Sequence, residues 1–208
     1  MVHPTLIPSP CEKGNRLEEP RGAAMTHDTM KVSKFLSLVL RHKPEHIRLT
    51  LDREGWADID ELIARAGTHG MPLTRETVLR VVETSDKQRF ALDQAGQRIR
   101  ANQGHSIDVD LGLEPREPPP ILFHGTATTA IASIRGKGLH AATRQHVHLS
   151  PDEATAIKVR RRHGPPVVLR IDAARMRTAG HEFFCSTNGV WLTDSVPTEF
   201  IEFPNEKA

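Results

Sequence analysis

The sequence predicts an α+β protein of two lobes, because its hydrophobic pattern changes once along the 208 residues. The first half places apolar residues at helical spacing and ends in a hairpin pattern, whereas the second half consists mainly of short strands. The segment P-R-E-P-P-P at 115–120 lies between them and is typical of a stiff, extended spacer. We therefore predict a disordered tail over 1–24, a first lobe over 25–110, a proline-rich linker over 111–120 and a second lobe over 121–208.

The first lobe is expected to begin with an amphipathic helix near Met30. Its apolar stripe is formed by Val32, Phe35, Leu36 and Val39. Because proline disfavours helix in the residue before it, Pro44 should end this helix at Arg41-His42-Lys43. These side chains suit the negative end of the helix dipole, which is a purely structural reason for their presence.

Two more helices and a hairpin complete the predicted first lobe. Ahead of them, a short strand is indicated by the alternating Ile47, Leu49 and Leu51. The expected helix caps are Asp58 and Thr74. The apolar faces comprise Ile59, Leu62, Ile63 and Ala66 before a stop at Gly67, and then Val78, Leu79 and Val82. The hairpin is outlined by Phe90, Leu92 and Ile99. Three helices followed by a hairpin are the winged-helix arrangement, which binds nucleic acid in many proteins and serves only as a protein contact in others.

The second lobe is predicted as a compact mixed α/β unit with two small helices. Strands are expected at Ile121-Leu122-Phe123, His146-Val147-His148-Leu149 and Val167-Val168-Leu169. A final strand is expected to contain Phe200, Ile201 and Phe203. One helix carries Ile131 and Ile134 and stops at Gly138, and the other opens with a capping box at Ser150-Pro151-Asp152-Glu153. Asn188-Gly189 marks a hairpin. No G-x-G-x-x-G turn is present, so a doubly wound dinucleotide fold is not expected.

Composition excludes several classes of protein. The two cysteines, Cys11 and Cys185, form neither a disulfide framework nor a metal-binding spacing. The longest apolar run, around Phe35 to Leu40, is far shorter than the ~20 residues of a membrane span. The amino end shows no signal-peptide pattern. We expect a cytoplasmic protein, and the net charge of +2 does not by itself indicate a nucleic-acid partner.

The stretch Arg100-Ala-Asn-Gln-Gly-His-Ser106 presents an arginine, two side-chain amides, a histidine and a hydroxyl within seven residues, and it lies between the two patterns. Its composition fits a solvated turn, but ligand clefts also occur preferentially between lobes. The run Arg160-Arg161-Arg162 has two readings as well. It is either a solvated helix end or part of an anion site, since the guanidinium fork matches phosphate oxygens.

A metal centre is not expected, although the chain has 12 histidines. His146 and His148 share one face of a predicted strand. No third ligand follows at a zinc-like spacing, and neither cysteine is placed to help.

Taken together and in order, several motifs resemble the NAD-dependent RNA 2'-phosphotransferases. They are Arg41-His42, Arg100-Ala-Asn-Gln-Gly-His-Ser106, His124-Gly125-Thr126, His146-Val-His-Leu-Ser150, Arg162-His163-Gly164 and Asn188-Gly-Val-Trp-Leu-Thr193. The resemblance runs from Met30 to the carboxyl end. It implies a winged-helix RNA-binding lobe followed by an NAD-binding lobe of ADP-ribosyltransferase type. It also implies removal of an internal RNA 2'-phosphate, such as one left by tRNA splicing.

The resemblance further implies roles for individual residues. Internal RNA 2'-phosphate would attack the nicotinamide ribose of NAD, and the ribose 2''-hydroxyl would then attack phosphorus to give ADP-ribose cyclic phosphate. The phosphate-handling residues would be Arg41, Arg100 and Arg162, with His42 moving protons in the second step. NAD, which is consumed, would contact His124, Gly125, Thr126, His148 and Ser150. Arg160 and Arg161 depart from the family pattern, so which of the three arginines reaches the phosphate stays open.

Two other functions remain compatible with the sequence. One is an ADP-ribosyltransferase acting on nucleic-acid terminal phosphates or on protein, and the other is a non-catalytic regulator that senses NAD. Gly189-Val190-Trp191 contains no carboxylate where protein-modifying relatives usually place a glutamate. That difference argues against general protein ADP-ribosylation.

Overall fold

The structure is a computed structural model that describes residues 27–85, 87–160 and 166–204. The predicted tail over 1–24, which contains Cys11, lies outside these residues, and so do Arg161 and Arg162. Within the described ranges the chain is a mixed α/β protein with six α-helices and small antiparallel sheets. None of the described helices combines the length and apolarity that a membrane crossing requires.

The amino-terminal half packs three helices against a three-stranded sheet. Its elements are α1 (His27–Arg41), a 3-10 helix (Pro44–Ile47), β1 (Ala57–Asp58), α2 (Ile59–Thr68), α3 (Arg75–Glu83), β2 (Phe90–Leu92) and β3 (Arg98–Ala101). The strands are antiparallel in the order β1-β3-β2. Their core includes Leu36, Leu40, Ile59, Leu62, Val78 and Ile99. The predicted succession of three helices and a hairpin is confirmed, while the winged-helix assignment stays a prediction.

Local chemistry explains where the helices of this half begin. The Asp58 side chain accepts a hydrogen bond from the Glu61 N–H at 2.9 Å, as expected of an N-cap. Thr74 does the same for the Thr77 N–H at 3.2 Å. Both predicted caps are therefore confirmed.

Three details of the prediction for this half are wrong. The alternating residues at 47–51 do not form a strand, because Pro44 starts a 3-10 helix and Arg48 ends it in a left-handed conformation (φ 55°). In α3 the fully buried residues are Val78 and Val81; Val82 packs against the core as predicted, whereas Leu79 is only partly buried and Val81 was missed. Gly67 lies inside α2, which continues to Thr68.

The carboxyl-terminal half contains the remaining helices and strands. They are β4 (Ile121–Ala127), a 3-10 helix (Thr128–Ala130), α4 (Ile131–Lys137), β5 (Leu139–His140), β6 (Val147–Leu149), α5 (Glu153–Arg160), β7 (Pro166–Asp172), α6 (Ala173–Thr178), β8 (Phe184–Cys185), β9 (Trp191–Thr193), β10 (Ser195–Val196), a 3-10 helix (Thr198–Phe200) and β11 (Ile201–Glu202). The sheets have the orders β11-β7-β4, β6-β9-β8 and β10-β5, all antiparallel. A second core includes Leu122, Ile134, Leu149, Leu169, Ile171 and Phe183.

The strands at 121–123, 147–149 and 167–169, the α4 stop and the β8–β9 hairpin match the prediction, but the helix count, one cap and the last strand do not. This half has three small helices where two were predicted, and the additional one is α6. Ser150 does not cap α5, since its backbone forms a bridge with Phe123. Asp152 takes the capping role and accepts the Thr155 N–H at 2.8 Å. Phe200 belongs to a 3-10 helix, so the last strand contains only Ile201 and Glu202. The ADP-ribosyltransferase assignment and the predicted domain boundaries stay predictions.

We predict that Gly138→Ala destabilises the protein by about 1–3 kcal/mol. Gly138 ends α4 with φ 77°, and an added Cβ would collide with the backbone carbonyl oxygen of Val196 on β10. Gly136→Ala is the matched control, because it lies in the same helix with open space around it. The control should gain about 0.5–1 kcal/mol from helix propensity. Urea unfolding measures both, and equal stability of the two variants would contradict the prediction.

Candidate functional site

The candidate site forms where the end of α1 meets the segment that follows β3. The backbone C=O of Arg41 accepts the N–H of Ser106 at 2.9 Å. The Nδ1 atom of His42 lies 2.9 Å from the Ser106 hydroxyl. Since α1 must end before Pro44, the Arg41 and His42 side chains are presented at a fixed helix end. The segment 104–106 is thereby fastened to the amino-terminal half.

The same segment also contacts the carboxyl-terminal half. The His105 backbone C=O accepts the Gln145 N–H at 3.1 Å. A Cβ built on Gly104 would lie 3.5 Å from Cε1 of His148 and 3.6 Å from Nη1 of Arg41. Gly104 has φ 88°, so glycine both permits this turn and lets side chains from the two halves approach each other. Arg41 and His148, far apart in the sequence, therefore face one site.

Arg41 is half-buried, and other cationic side chains lie near it. Its Nη2 atom donates to the Arg89 carbonyl oxygen at 3.2 Å, and its guanidinium carbon lies 5.8 Å from the centre of the Phe90 ring. Burial, followed by the positive charges of Arg89 and Arg144, lowers the pKa of Arg41 to about 10. The side chain stays protonated at neutral pH, and an anion would relieve the repulsion.

His42 is placed to move protons in either direction. Burial, then Arg41 and Arg144, lowers the pKa of its imidazole, which therefore favours the neutral form. The Ser106 hydroxyl can donate to Nδ1 or accept from it. The first arrangement leaves an N–H on Nε2, and the second leaves a lone pair there. With Ser106 as its partner, His42 can therefore act through Nε2 either as an acid or as a base.

Arg100 lies on β3 over an aromatic side chain. Its guanidinium carbon is 4.5 Å from the centre of the Trp56 ring, and 17% of its side chain is exposed. Its Nη1 atom is 3.8 Å from Oε2 of Glu54, whose other contact is the Trp56 indole N–H at 3.3 Å. The Glu54 carboxylate is largely exposed, so its contact with Arg100 is a weak one that a better anion can replace.

On the opposite side of the site, His148 is fixed as a neutral imidazole. Nη1 of Arg144 donates to Nδ1 of His148 at 2.9 Å, which requires the hydrogen to be on Nε2. Burial, followed by Arg144, Arg41, His146 and His124, lowers the pKa of His148 to about 3. The Nε2–H of His148 can therefore donate a hydrogen bond to a bound ligand.

The residues expected to contact NAD lie on neighbouring strands. His124 Nδ1 is 3.0 Å from the backbone C=O of His148. Ser150 and Phe123 exchange two backbone hydrogen bonds of 2.8 and 2.9 Å. His124, Gly125 and Thr126 all pair with β7 as part of β4, rather than following a strand.

A cavity of about 400 Å³ opens beside the end of β4, and neither Arg41 nor Arg100 lines it. It lies beyond Thr126, and its volume is in the range of small-molecule sites. Its lining comprises Thr128, Ile131, Ala132, Arg135, Val167, Phe203 and Pro204. These walls are mainly apolar, so they suit a flat ring system better than a phosphate.

Buried polar atoms without a protein partner are concentrated at the arginine site. Among the described residues they are Nε of Arg41, Nε of Arg100, Oδ1 of Asn102, and both ring nitrogens of His105. All belong to the end of α1 or to the stretch 100–106. Native structures satisfy most such atoms within the protein, so their concentration here indicates a place where a ligand completes the hydrogen bonding.

The structure brings together four of the nine residues selected from the sequence. Arg41, His42 and Arg100 lie around the 104–106 segment, and His148 approaches Arg41 there from the carboxyl-terminal half. Arg162 lies outside the described residues, so its relation to the site is not described. Arg144 was missed, because it sits in an irregular loop with no periodic pattern. The one signal was a basic residue four positions before His148.

No group of three or more potential metal-ligating side chains occurs in the described part of the chain. Metal independence remains an expectation that this observation does not test.

Comparisons with known proteins identify relatives across most of the chain. A curated protein of Streptomyces coelicolor is 54% identical over 176 residues, which cover 85% of this chain and 96% of that protein. A protein of Pseudomonas aeruginosa is 57% identical, covering 81% of this chain and 93% of its own length. One of Hahella chejuensis is 56% identical, with 81% and 91% covered. All three carry the name "Probable RNA 2'-phosphotransferase".

The family model described as "RNA 2'-phosphotransferase, Tpt1 / KptA family" matches residues 27–195. The matched region contains the amino-terminal half, the carboxyl-terminal half as far as Ser195, and the site residues from Arg41 to Ser150. The chain therefore belongs to the RNA 2'-phosphotransferase, Tpt1 / KptA family.

Proposed function

We propose that this chain is an RNA 2'-phosphotransferase that moves an internal RNA 2'-phosphate to NAD, releasing nicotinamide and ADP-ribose cyclic phosphate. The observation that carries the proposal is the group of cations from both halves of the fold. Arg41 and Arg144 form no ion pair with a carboxylate in the described residues, and the partner of Arg100 is exposed. Membership of the family supports the same transferase activity.

The chemistry requires cations more than it requires a base in the first step. A phosphate monoester has a second pKa of about 6, so it is largely a dianion and already a nucleophile at neutral pH. One of its oxygens forms a bond to the anomeric carbon while the C–N bond to nicotinamide breaks. Arg41 and Arg100 hold the dianion and stabilise its charge when phosphorus is attacked later.

We propose that NAD binds at the strands of the carboxyl-terminal half. It supplies an electrophilic ribose carbon and a leaving group that departs without protonation. His124, Thr126 and the His148 Nε2–H offer polar groups near one another, and the apolar cavity beyond Thr126 suits the adenine. The adjacency of His148 to Arg41 across Gly104 would bring nicotinamide ribose and phosphate together.

The second step moves protons, and His42 is suited to it. The ribose 2''-hydroxyl attacks phosphorus and loses a proton, while the P–O bond to RNA breaks and the RNA 2'-oxygen gains one. A neutral His42 accepts the first proton and returns it to the leaving oxygen. Arrival of the phosphate raises the imidazole pKa because the dianion offsets the charge of Arg41.

The function is tested with NAD and RNA that bears one internal 2'-phosphate. We expect loss of that phosphate, release of nicotinamide and formation of ADP-ribose cyclic phosphate. Control RNAs have either a terminal phosphate or none. ADP-ribose that stays on a terminal phosphate would favour the ADP-ribosyltransferase alternative. Absence of nicotinamide release with every RNA would favour the non-catalytic NAD sensor.

We predict that His42→Ala stalls after the first step. The variant should release nicotinamide and accumulate RNA joined through its 2'-phosphate to ADP-ribose. Loss of an acid–base group costs on the order of 10²–10⁴-fold in the step that uses it. A gel that resolves substrate, joined RNA and product over time provides the measurement.

Arg100→Ala provides the contrast to His42→Ala. It removes charge stabilisation and not a proton carrier, so phosphate transfer should slow as well. The role of His42 would be refuted if His42→Ala leaves only unreacted substrate at all times.

We also predict that turnover does not require a divalent metal. Arginines supply the charge that magnesium supplies in other phosphoryl transfers, and we expect no carboxylate cluster to hold an ion. Turnover should be unchanged in EDTA. Loss of activity that magnesium restores would show that this explanation of the charge is wrong.

A further inference from the structure

His105 is the most deeply buried polar residue of the site, yet neither of its ring nitrogens has a protein partner. Only 1% of the residue is exposed. The chemistry proposed above assigns it no role. An unsatisfied buried donor or acceptor is costly, and native proteins keep few of them. The absence of a partner for this imidazole therefore calls for a functional explanation.

The position of His105 is fixed by its backbone and not by its ring. Its C=O accepts the Gln145 N–H, and the next residue, Ser106, is bonded to Arg41 and His42. A Cβ built on Gly55 would lie 3.6 Å from His105 Nε2, so the turn at Gly55 covers that edge of the ring. The imidazole is thus held in place without using its own hydrogen-bonding atoms.

The charged groups that act on this ring all belong to the proposed phosphate site. They are Arg41 and His42 at the end of α1 and Arg100 on β3. Nε of Arg41, Nε of Arg100 and Oδ1 of Asn102 are also without a protein partner. The unsatisfied donors of His105 and both arginines suit a ligand with several acceptor oxygens.

We propose that His105 is a further substrate-binding residue, whose ring donates a hydrogen bond to the phosphate held by Arg41 and Arg100. The proposal rests on the proposed function, because it identifies the anion as the RNA 2'-phosphate. A neutral imidazole carries one N–H, which can reach a phosphate oxygen without adding a charge to a crowded cationic site.

The protonation state of the free protein agrees with this geometry. Burial, then Arg41, His42 and Arg100, lowers the pKa of His105 to about 4. The imidazole is therefore neutral at pH 7 before substrate binds. A dianion beside it favours the protonated form, so the ring pKa should rise when phosphate is bound.

The first measurement follows the wild-type ring directly. Histidine side chains are labelled with ¹⁵N, and the His105 signals are identified by their loss in His105→Leu. Inorganic phosphate and RNA with an internal 2'-phosphate should each shift the His105 signals, whereas the same RNA without the phosphate should not. If neither phosphate moves them, the proposal is overturned.

The second measurement uses variants of similar size. His105→Leu should weaken binding of the 2'-phosphorylated RNA about 10- to 100-fold, as expected for a hydrogen bond to a charged group. Binding of the unphosphorylated RNA should not change. His105→Asn or His105→Gln should restore part of the difference, depending on which ring nitrogen donates. His181→Leu, which alters a histidine packed on Phe200, is the matched control and should bind both RNAs normally.

Stability separates binding from a structural role. His105→Leu removes two unsatisfied buried atoms, so its Tm should equal or exceed that of the wild type. A lower Tm with equal loss of affinity for both RNAs would overturn the proposal. If phosphate shifts the His105 signals but no RNA reacts with NAD, the proposed function fails while His105 stands as an anion ligand.

Discussion

The site depends on the positive charges of Arg41 and Arg144, which form no ion pair with a carboxylate in the part of the chain that the structure describes. Arg41 is half-buried near Arg89 and Arg144, and desolvation and repulsion lower its pKa to about 10. Each half of the fold contributes cations, so the repulsion acts across the seam between them. The hydrophobic cores on either side must supply the stability that keeps these charges together. An anion bound between the two halves would offset the repulsion among these arginine side chains.

A few backbone features convert this charge into a defined geometry. The end of α1 before Pro44 fixes Arg41 and His42, and the Ser106 N–H and hydroxyl bind that end. Gly104 lets His148 approach Arg41 with no side chain between them. The Arg41 and His42 side chains are already held by hydrogen bonds to Arg89 and Ser106. Because they lose little conformational freedom on binding, the site is preorganised for its ligand.

Sequence patterns predicted the elements well where the chemistry is local. The caps at Asp58 and Thr74 and the stop at Gly138 depend on neighbouring residues, and all three are confirmed. The strand expected at 47–51 failed, because alternation reflects burial and cannot show whether a partner strand exists. Ser150 failed as a cap because pairing with the distant Phe123 determined its backbone.

The site was only partly predictable, because several of its contacts join residues that are distant in the sequence. Motifs suggested Arg41, His42, Arg100 and His148, but the approach of Arg144 to His148 depends on how an irregular loop folds. The lack of partners for His105 is a property of three-dimensional packing that no spacing reveals.

The use of arginines in place of a metal-binding carboxylate cluster has a further electrostatic consequence. Carboxylates that hold magnesium would repel a phosphate dianion whenever the metal is absent, and they would raise the pKa values of nearby histidines. In this site burial, followed by Arg41 and Arg144, lowers the pKa of His42, so the free imidazole is unprotonated and able to accept a proton. Binding of the dianion then raises that pKa, which makes the imidazole a stronger base toward the proton of the attacking hydroxyl. The charge that attracts the substrate therefore also sets the proton chemistry that follows.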